Sequence, residues 1–204
     1  MYVARILYPV KTLGPGNRIG IWFCGCTHHC SGCSNPELWE RQEKYLITQN
    51  RLMELIHCIS DCNPVDGFTL TGGDPMDQAE ALSGLLPELR KIAPDILLYT
   101  GYTIEQLHGM KDENIEAALS QLSVLVDGEY IKKRNNNCPM RGSDNQKVLF
   151  FDKAVREKYE EYMRSGNAIQ NFTIGNSVVS VGIHSADYPE RLEKLIAEKN
   201  LIIE

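Results

Sequence analysis

Much is missing from this chain of 204 residues. No apolar run approaches the roughly 20 residues that span a membrane. The opening stretch MYVARILYPVKTLGPGNRIG has no apolar core followed by a small-residue cleavage site, so no export signal is read there. No extended Lys/Arg-rich run occurs, and the formal net charge is −6. Both facts argue against nucleic acid and acidic membranes as partners. Repeats, low-complexity stretches and flexible linkers are absent too. Hydrophobic content of 43% and charged content of 24% are ordinary for a globular fold. The length suits one core-bearing domain with a small appendage.

What is present in excess is cysteine. Seven occur, and four of them, Cys24, Cys26, Cys30 and Cys33, fall within ten residues. Seven is odd, so a complete disulfide frame is excluded. With no export signal, clustered thiols point to metal or redox chemistry in a reducing cytoplasm. Cys26, Cys30 and Cys33 are spaced C-x3-C-x2-C. A structural zinc site usually shows two separated C-x2-C pairs, and no second pair of that kind follows. Three thiolates suit three irons of a cubane cluster and leave the fourth open to a substrate. The competing reading is a triplet of buried cysteines acting as small apolar residues.

Beyond the triplet, helical and strand-like segments alternate. A helix is predicted from an N-cap at Thr48 to the stop at Asn63-Pro64, with Leu52, Leu55, Ile56 and Ile59 at helical spacing. Strands are predicted over 67–71, 95–100 and 123–127. Helices are predicted over 77–92, kinked at Pro87, then after a capping box at Thr103 and Gln106, and through DENIEAALSQL. Short apolar strands separated by helices make an α/β fold whose mostly parallel sheet is covered on both faces. Ligands then sit beyond the carboxyl ends of the strands, at Thr71–Pro75, Thr100–Tyr102 and Asp127–Gly128. From about Phe151 the chain reads as an amphipathic helix with Phe151, Val155, Tyr159 and Tyr162 on one face. A strand over 177–183 and a helix over 188–200 follow.

The segments GPGNRIGIWFCGCTHHCSGCSNPELW, TGGDPM, YTGYTIEQL, LVDGEY and RGSDNQKV occur in that order across residues 8–150. Together they resemble the radical S-adenosylmethionine superfamily, in its branch of activating proteins for anaerobic ribonucleoside-triphosphate reductase, related to the pyruvate formate-lyase activating enzymes. The resemblance implies a radical S-adenosylmethionine core over residues 1–150, a partial, open α/β barrel, with residues 151–204 as a short α/β extension packed on it. It implies an oxidoreductase in which Cys26, Cys30 and Cys33 ligate a [4Fe–4S] cluster. One electron would cleave S-adenosylmethionine, and the 5′-deoxyadenosyl radical would take a hydrogen from a glycine Cα of a large partner enzyme. Flavodoxin or ferredoxin is the implied electron donor.

The resemblance also assigns Gly72, Gly73 and Asp74 to the methionine end of the cofactor; the plain alternative is a tight turn with Asp74 as an N-cap. The backbone of Gly32, Cys33 and Ser34 is placed near the adenine. Relatives often carry an aromatic residue or histidine where this chain has Ser34, so ring stacking from that position is lost. Asp127 is a candidate contact to the cofactor or a cation, or else a turn residue. The RGSDNQKV stretch is a candidate docking loop or a surface turn. Cys58 and Cys62 share a helix face and are read as packed there. His28, His29 and His184 receive no role. Two rivals remain: a radical enzyme acting on another glycyl radical enzyme, a peptide or a small molecule, and a non-catalytic metal-binding module.

Overall fold

The predicted helices and strands assemble around one central sheet in the computed structural model, which describes residues 1–175 and 177–199. Among the described residues eight strands are formed: β1 (Val3–Val10), β2 (Arg18–Phe23), β3 (Gly67–Gly72), β4 (Ile96–Tyr99), β5 (Val124–Asp127), β6 (Lys147–Phe150), β7 (Ile169–Ile174) and β8 (Ser177–Gly182). The first six make one sheet in sequence order; β7 and β8 form a separate antiparallel pair. Strands β2 to β5 run parallel, while β1 and β6 pair antiparallel at the two edges. The architecture is therefore mixed α/β with a mostly parallel central sheet.

Sequential order among parallel strands fixes where the helices go. Right-handed crossovers taken in one direction put every connecting helix on the same face. Helices α1 (Gln49–Ser60), α2 (Ala79–Ile92), α3 (Ile104–Gly109) and α4 (Glu113–Ser120) all contribute to one apolar core. Leu52, Ile56, Leu82, Leu86, Leu107 and Ala118 meet Ile19, Ile21, Phe23, Leu70, Leu98 and Leu125 of the strands there. The alternate strand residues point the other way, and their cover comes from the tail. Helix α5 (Arg156–Arg164) sets Tyr159 against Leu97, Val124 and Val126. Val181 of β8 joins Leu7, Val10 and Trp22. Helix α6 (Tyr188–Lys199) ends the described chain; residue 200 of the predicted last helix lies outside it.

Local signals hold where they are strongest. Thr48 caps α1 by accepting from the Arg51 amide, and the Thr103–Gln106 capping box is closed in both directions. Helix α2 continues through Pro87 after a 3-10 turn over Pro75–Gln78. Two expectations are corrected. Phe151 does not share the buried face of α5: it is 44% exposed, because Asp152 caps a separate 3-10 turn before the helix begins. Cys58 and Cys62 are exposed, because α1 turns Leu52 and Ile56 to the core and leaves Cys58 off that stripe, and the helix ends at Ser60, which puts Cys62 in the turn beyond it.

The end of the sheet where β2 to β4 begin is closed by a buried ion pair. Arg18 is fully buried. It donates to the Thr69 hydroxyl at 2.7 Å, the Pro15 carbonyl at 3.3 Å and the Asp95 carboxylate at 2.9 Å. Asp95 also accepts from the Tyr159 hydroxyl at 2.9 Å and pairs with Lys158 at 2.6 Å. The tail helix α5 is thereby tied to the floor of the sheet. A charge this deeply buried is tolerable only because each donor has a partner.

Candidate iron–sulfur site

The site is built where the parallel strands end. After Phe23 the chain turns at Gly25, whose φ of +110° favours glycine, and enters the loop of the three cysteines. Backbone bonds hold the loop's start: Gly25 N–H donates to the Leu38 carbonyl and Cys26 N–H to the Trp39 carbonyl, both at 2.8 Å. Thr27 N–H donates to the Asp77 carboxylate at 2.8 Å, and the Tyr102 hydroxyl donates to the same carboxylate at 2.7 Å.

The neighbouring strand β3 ends in Gly72-Gly73-Asp74, pressed onto this loop. A β carbon on Gly73 would stand 2.3 Å from the Gly25 carbonyl oxygen, and one on Gly72 would stand 2.5 Å from that of Phe23. Asp74 N–H donates to the Gly25 carbonyl at 2.8 Å. The Asp74 carboxylate is buried and accepts from the Met76 amide, the Thr100 hydroxyl and the Gly101 amide at 2.8 to 2.9 Å. The N-cap reading of Asp74 is thus present in the structure, and Asp74 also reaches the cavity wall.

That cavity has a volume of about 810 Å³. Cys26, Cys30 and Cys33 line one side and Gly72, Gly73 and Asp74 the adjoining one. Gly32, Ser34, Thr100, Gly101 and Gly128 line it too. The tail closes the far side with Ser180, His184 and Tyr188. His184 stacks on Tyr188 with ring centroids 4.1 Å apart, and the Asn135 side chain holds its carbonyl at 3.0 Å. Tyr99 lines the cavity as well.

The thiols have the surroundings of ligands. Burial pushes the Cys26 thiol up to about 11, opposed by the amides of His28 and His29. Burial likewise raises Cys30, opposed by the Tyr130 amide. The Asn35 amide donates to the Cys33 sulfur at 3.4 Å. Such an N–H donor to a sulfur stabilises a thiolate and tunes an iron–sulfur centre. A positive metal centre would reverse the effect of burial and bind the deprotonated forms. Among the described residues no three His, Cys, Asp or Glu side chains converge to hold a single metal ion. A cubane needs no such convergence, because each thiolate meets its own iron. The three cysteines therefore fit a cluster better than a closed zinc site.

His28, given no role by its position between two cysteines, is a central contact. Its Nε2 lies 3.1 Å from Asp74 Oδ2 and its Nδ1 lies 3.1 Å from Glu129. The approach to Asp74 is off the N–H axis, so that contact is an ion pair without a directed hydrogen bond. Asp74 first, and Glu129 after it, raise the imidazole to about 9 against the effect of burial. A protonated His28 therefore links the cysteine loop to two strand ends. Only the positions of the acidic residues in space, invisible in the sequence, reveal this.

Other candidates separate. Asp127 is buried but does not line the cavity; it accepts from the amides of Ile104 at 2.8 Å and Lys147 at 3.2 Å. In the RGSDNQKV stretch, Gly142 and Gln146 reach the cavity. Gln146 braces the Gly128 carbonyl at 2.8 Å, and Ser143 accepts from the Ile131 amide at 3.1 Å. Cys24, just after β2, is buried against Trp22 and Leu38 and does not line the cavity; its thiol donates to the Glu40 carbonyl at 3.0 Å. His184 carries no readable motif, and only the folded tail brings it to the cavity. No helix among the described residues is long and apolar enough to cross a membrane.

Known proteins resemble this chain over most of its length. Residues 12–149 match the family model of the 4Fe-4S single cluster domain. The chain is 35% identical over 147 residues to the anaerobic ribonucleoside-triphosphate reductase-activating protein of Enterobacteria phage T4, covering 70% of this chain and 90% of that protein. Proteins of the same name from Vibrio cholerae and Escherichia coli K12 are 34% and 30% identical over 152 and 148 residues. These cover 71% and 69% of this chain, and 95% and 94% of those proteins. The matched region contains the cysteine triplet, the TGGDP turn and both strand-end loops, so the chain belongs to the family of anaerobic ribonucleoside-triphosphate reductase-activating proteins.

Proposed function

We propose that this chain is a radical S-adenosylmethionine activase that installs a glycyl radical on an anaerobic ribonucleoside-triphosphate reductase. The observation that carries the reading is one cavity in which the thiols of Cys26, Cys30 and Cys33 adjoin the Gly72-Gly73-Asp74 turn. Sequential strand order with helices on one side is also the arrangement of a barrel segment, as expected of that superfamily. A [4Fe–4S] cluster held by Cys26, Cys30 and Cys33 would supply the single electron for reductive cleavage of S-adenosylmethionine, the chemistry that would generate the radical on glycine.

The chain's residues bind and orient. Cys26, Cys30 and Cys33 hold the [4Fe–4S] cluster. Gly72 and Gly73 bring backbone within reach of the methionine amino and carboxylate groups of S-adenosylmethionine, without a side chain in the way. Asp74 holds the Thr100–Gly101 wall and His28, so that the pocket is rigid before ligand arrives. The backbone of Gly32 to Ser34 faces the adenine end. Asp127 acts at one remove, by fixing the two amides that set the Gly128 wall. The tail residues Ser180, His184 and Tyr188 limit water access on the far side. Flavodoxin or ferredoxin supplies the electron.

The test is anaerobic reconstitution with iron and sulfide, reduction, and addition of S-adenosylmethionine. Formation of 5′-deoxyadenosine by the native chain and none by Cys30→Ala is expected. A glycyl radical signal should then appear in added reductase. Cluster reduced, S-adenosylmethionine bound, reductase present and still no deoxyadenosine would refute the activase reading.

A further inference from the structure

Lys132-Lys133-Arg134 is the longest uninterrupted basic stretch in a chain of net charge −6. It forms one 3-10 turn, Lys132–Arg134, in the loop after β5. Arg134 is paired with Asp144. Lys132 and Lys133 are exposed, and among the described residues neither has an acidic partner within salt-bridge distance. Ile131, just before them, is 41% exposed. An apolar side chain rimmed by free cations has the make-up of a small docking surface.

Its location gives the patch meaning. Tyr130, just before the patch, lines the same cavity as Cys30 and Cys33. The stem of Lys132 covers Gly32: a β carbon there would stand 3.0 Å from Lys132 Cδ. Gly32 and Tyr130 line the cavity, while Ile131, Lys132 and Lys133 do not. The basic patch therefore lies on the outer side of the cysteine loop, with the cavity on its inner side.

The proposed reaction consumes one electron for each C–S bond broken, and that electron comes from outside the chain. The inner side is taken by S-adenosylmethionine and the substrate glycine, which leaves the outer side for the reductant. We infer that Ile131, Lys132 and Lys133 dock an acidic one-electron carrier protein. The inference rests on the cluster reading above. The carrier is oxidised by one electron, the cluster is reduced by one, and no atom is transferred. Carboxylates around the carrier's redox centre are steered to the two lysines, which sets that centre against the loop of Cys30 and Cys33.

The experiment uses the reconstituted holoprotein, the double variant Lys132→Glu/Lys133→Glu, and flavodoxin as probe. Calorimetric titration with oxidised flavodoxin reads binding without turnover. Stopped-flow bleaching of the cluster by reduced flavodoxin reads electron delivery. The double variant should bind at least about tenfold more weakly and lose most of the salt dependence. Bleaching by flavodoxin should slow by a similar factor, while bleaching by dithionite stays at the native rate. The single variant Lys133→Glu, which leaves the stem over Gly32 in place, should show the same direction. Equal flavodoxin binding by native and variant proteins, or none by either, overturns the inference. So does a variant that loses glycyl radical yield under dithionite yet binds flavodoxin normally; that result would assign the patch to the reductase. A native protein that binds flavodoxin through the lysines but cleaves no S-adenosylmethionine with dithionite would refute the activase reading and leave the docking surface standing.

Discussion

Replacing Gly73 with alanine tests whether the pressed contact between β3 and the cysteine loop sets the site. The added β carbon would meet the Gly25 carbonyl oxygen at 2.3 Å, whereas ordinary contact begins near 3.4 Å. The obstacle is backbone, so no side chain can swing aside. Loop and strand end must part by about 1 Å, at an overpacking cost of about 1–3 kcal/mol. Parting also breaks the bond from Asp74 N–H to the Gly25 carbonyl, worth about 0.5–1.5 kcal/mol. The total is roughly 2–4 kcal/mol, which for a chain of this size lowers the melting temperature by about 5–15 °C.

The loss should also reach the chemistry, because Cys26 follows Gly25 directly. The assay is a thermal melt of the metal-free protein together with iron and sulfide content after anaerobic reconstitution. Gly109→Ala is the control. A β carbon at Gly109 would meet nothing within 4 Å, so this change should stay within about 0.5 kcal/mol. A Gly73→Ala protein that melts with the native one and takes up a full cluster would refute the reasoning.

Three further outcomes are expected. Asp95→Asn should cost about 3–5 kcal/mol at neutral pH, because it strips the buried Arg18 of its counter-charge. Burial pushes the Asp95 carboxyl up, but Arg18 and then Lys158 overcome it and hold it below its usual value. Its contribution is therefore full above the unfolded value of about 3.9 and lost as pH falls through the lower folded value; urea melts of both proteins should converge only in strong acid. Tyr188→Ala, which removes the ring stacked on His184, should weaken S-adenosylmethionine binding by roughly threefold to tenfold, on the order of one lost aromatic contact, with cluster content unchanged; an unaltered dissociation constant removes the tail from the binding wall. Cys24→Ala should retain a full cluster by iron analysis, since its thiol points away from the cavity, whereas Cys33→Ala should not.

The helices and the parallel strands β3, β4 and β5 were legible because their signals are local. Thr48 and the Thr103–Gln106 box start helices by satisfying their own first amides, and the apolar strands β3, β4 and β5 are bounded by turn residues. Four strands are not predicted. β1 carries Pro9, which only an edge strand tolerates, and most of its residues are half-buried. β2 is buried on both faces, so alternation is absent, and it holds Arg18 and Gly20. β6 starts inside a polar stretch that reads as a turn, and β7 shows only a weak pattern of exposed and half-buried residues. Their strand character comes from their neighbours. The cysteine triplet was legible for the opposite reason, since a cluster ligated within one loop writes its geometry into sequence spacing.

The residues that spacing could not reveal are those whose meaning depends on distant partners. His28 is separated from Asp74 and Glu129 by 46 and 101 positions, yet it contacts both. The tail is the larger case. It lies beyond the region matched by the family model, which ends at residue 149, and it is joined to the sheet at both ends. At the floor, Lys158 and Tyr159 hold Asp95, which holds Arg18. Along β1 and the turn after it, the Thr12 hydroxyl donates to the Val181 carbonyl at 2.9 Å, and Gln170 bonds to both Lys11 N–H and the Pro9 carbonyl. Those bonds carry β8 across the sheet and deliver His184 and Tyr188 to the cavity. The Asp95 ion pair and the far wall of the cavity are therefore two ends of one attachment. Weakening the first should loosen the second: Asp95→Asn should speed amide hydrogen exchange in β8 as well as α5, and exchange confined to α5 would show that the hairpin is held by β1 alone.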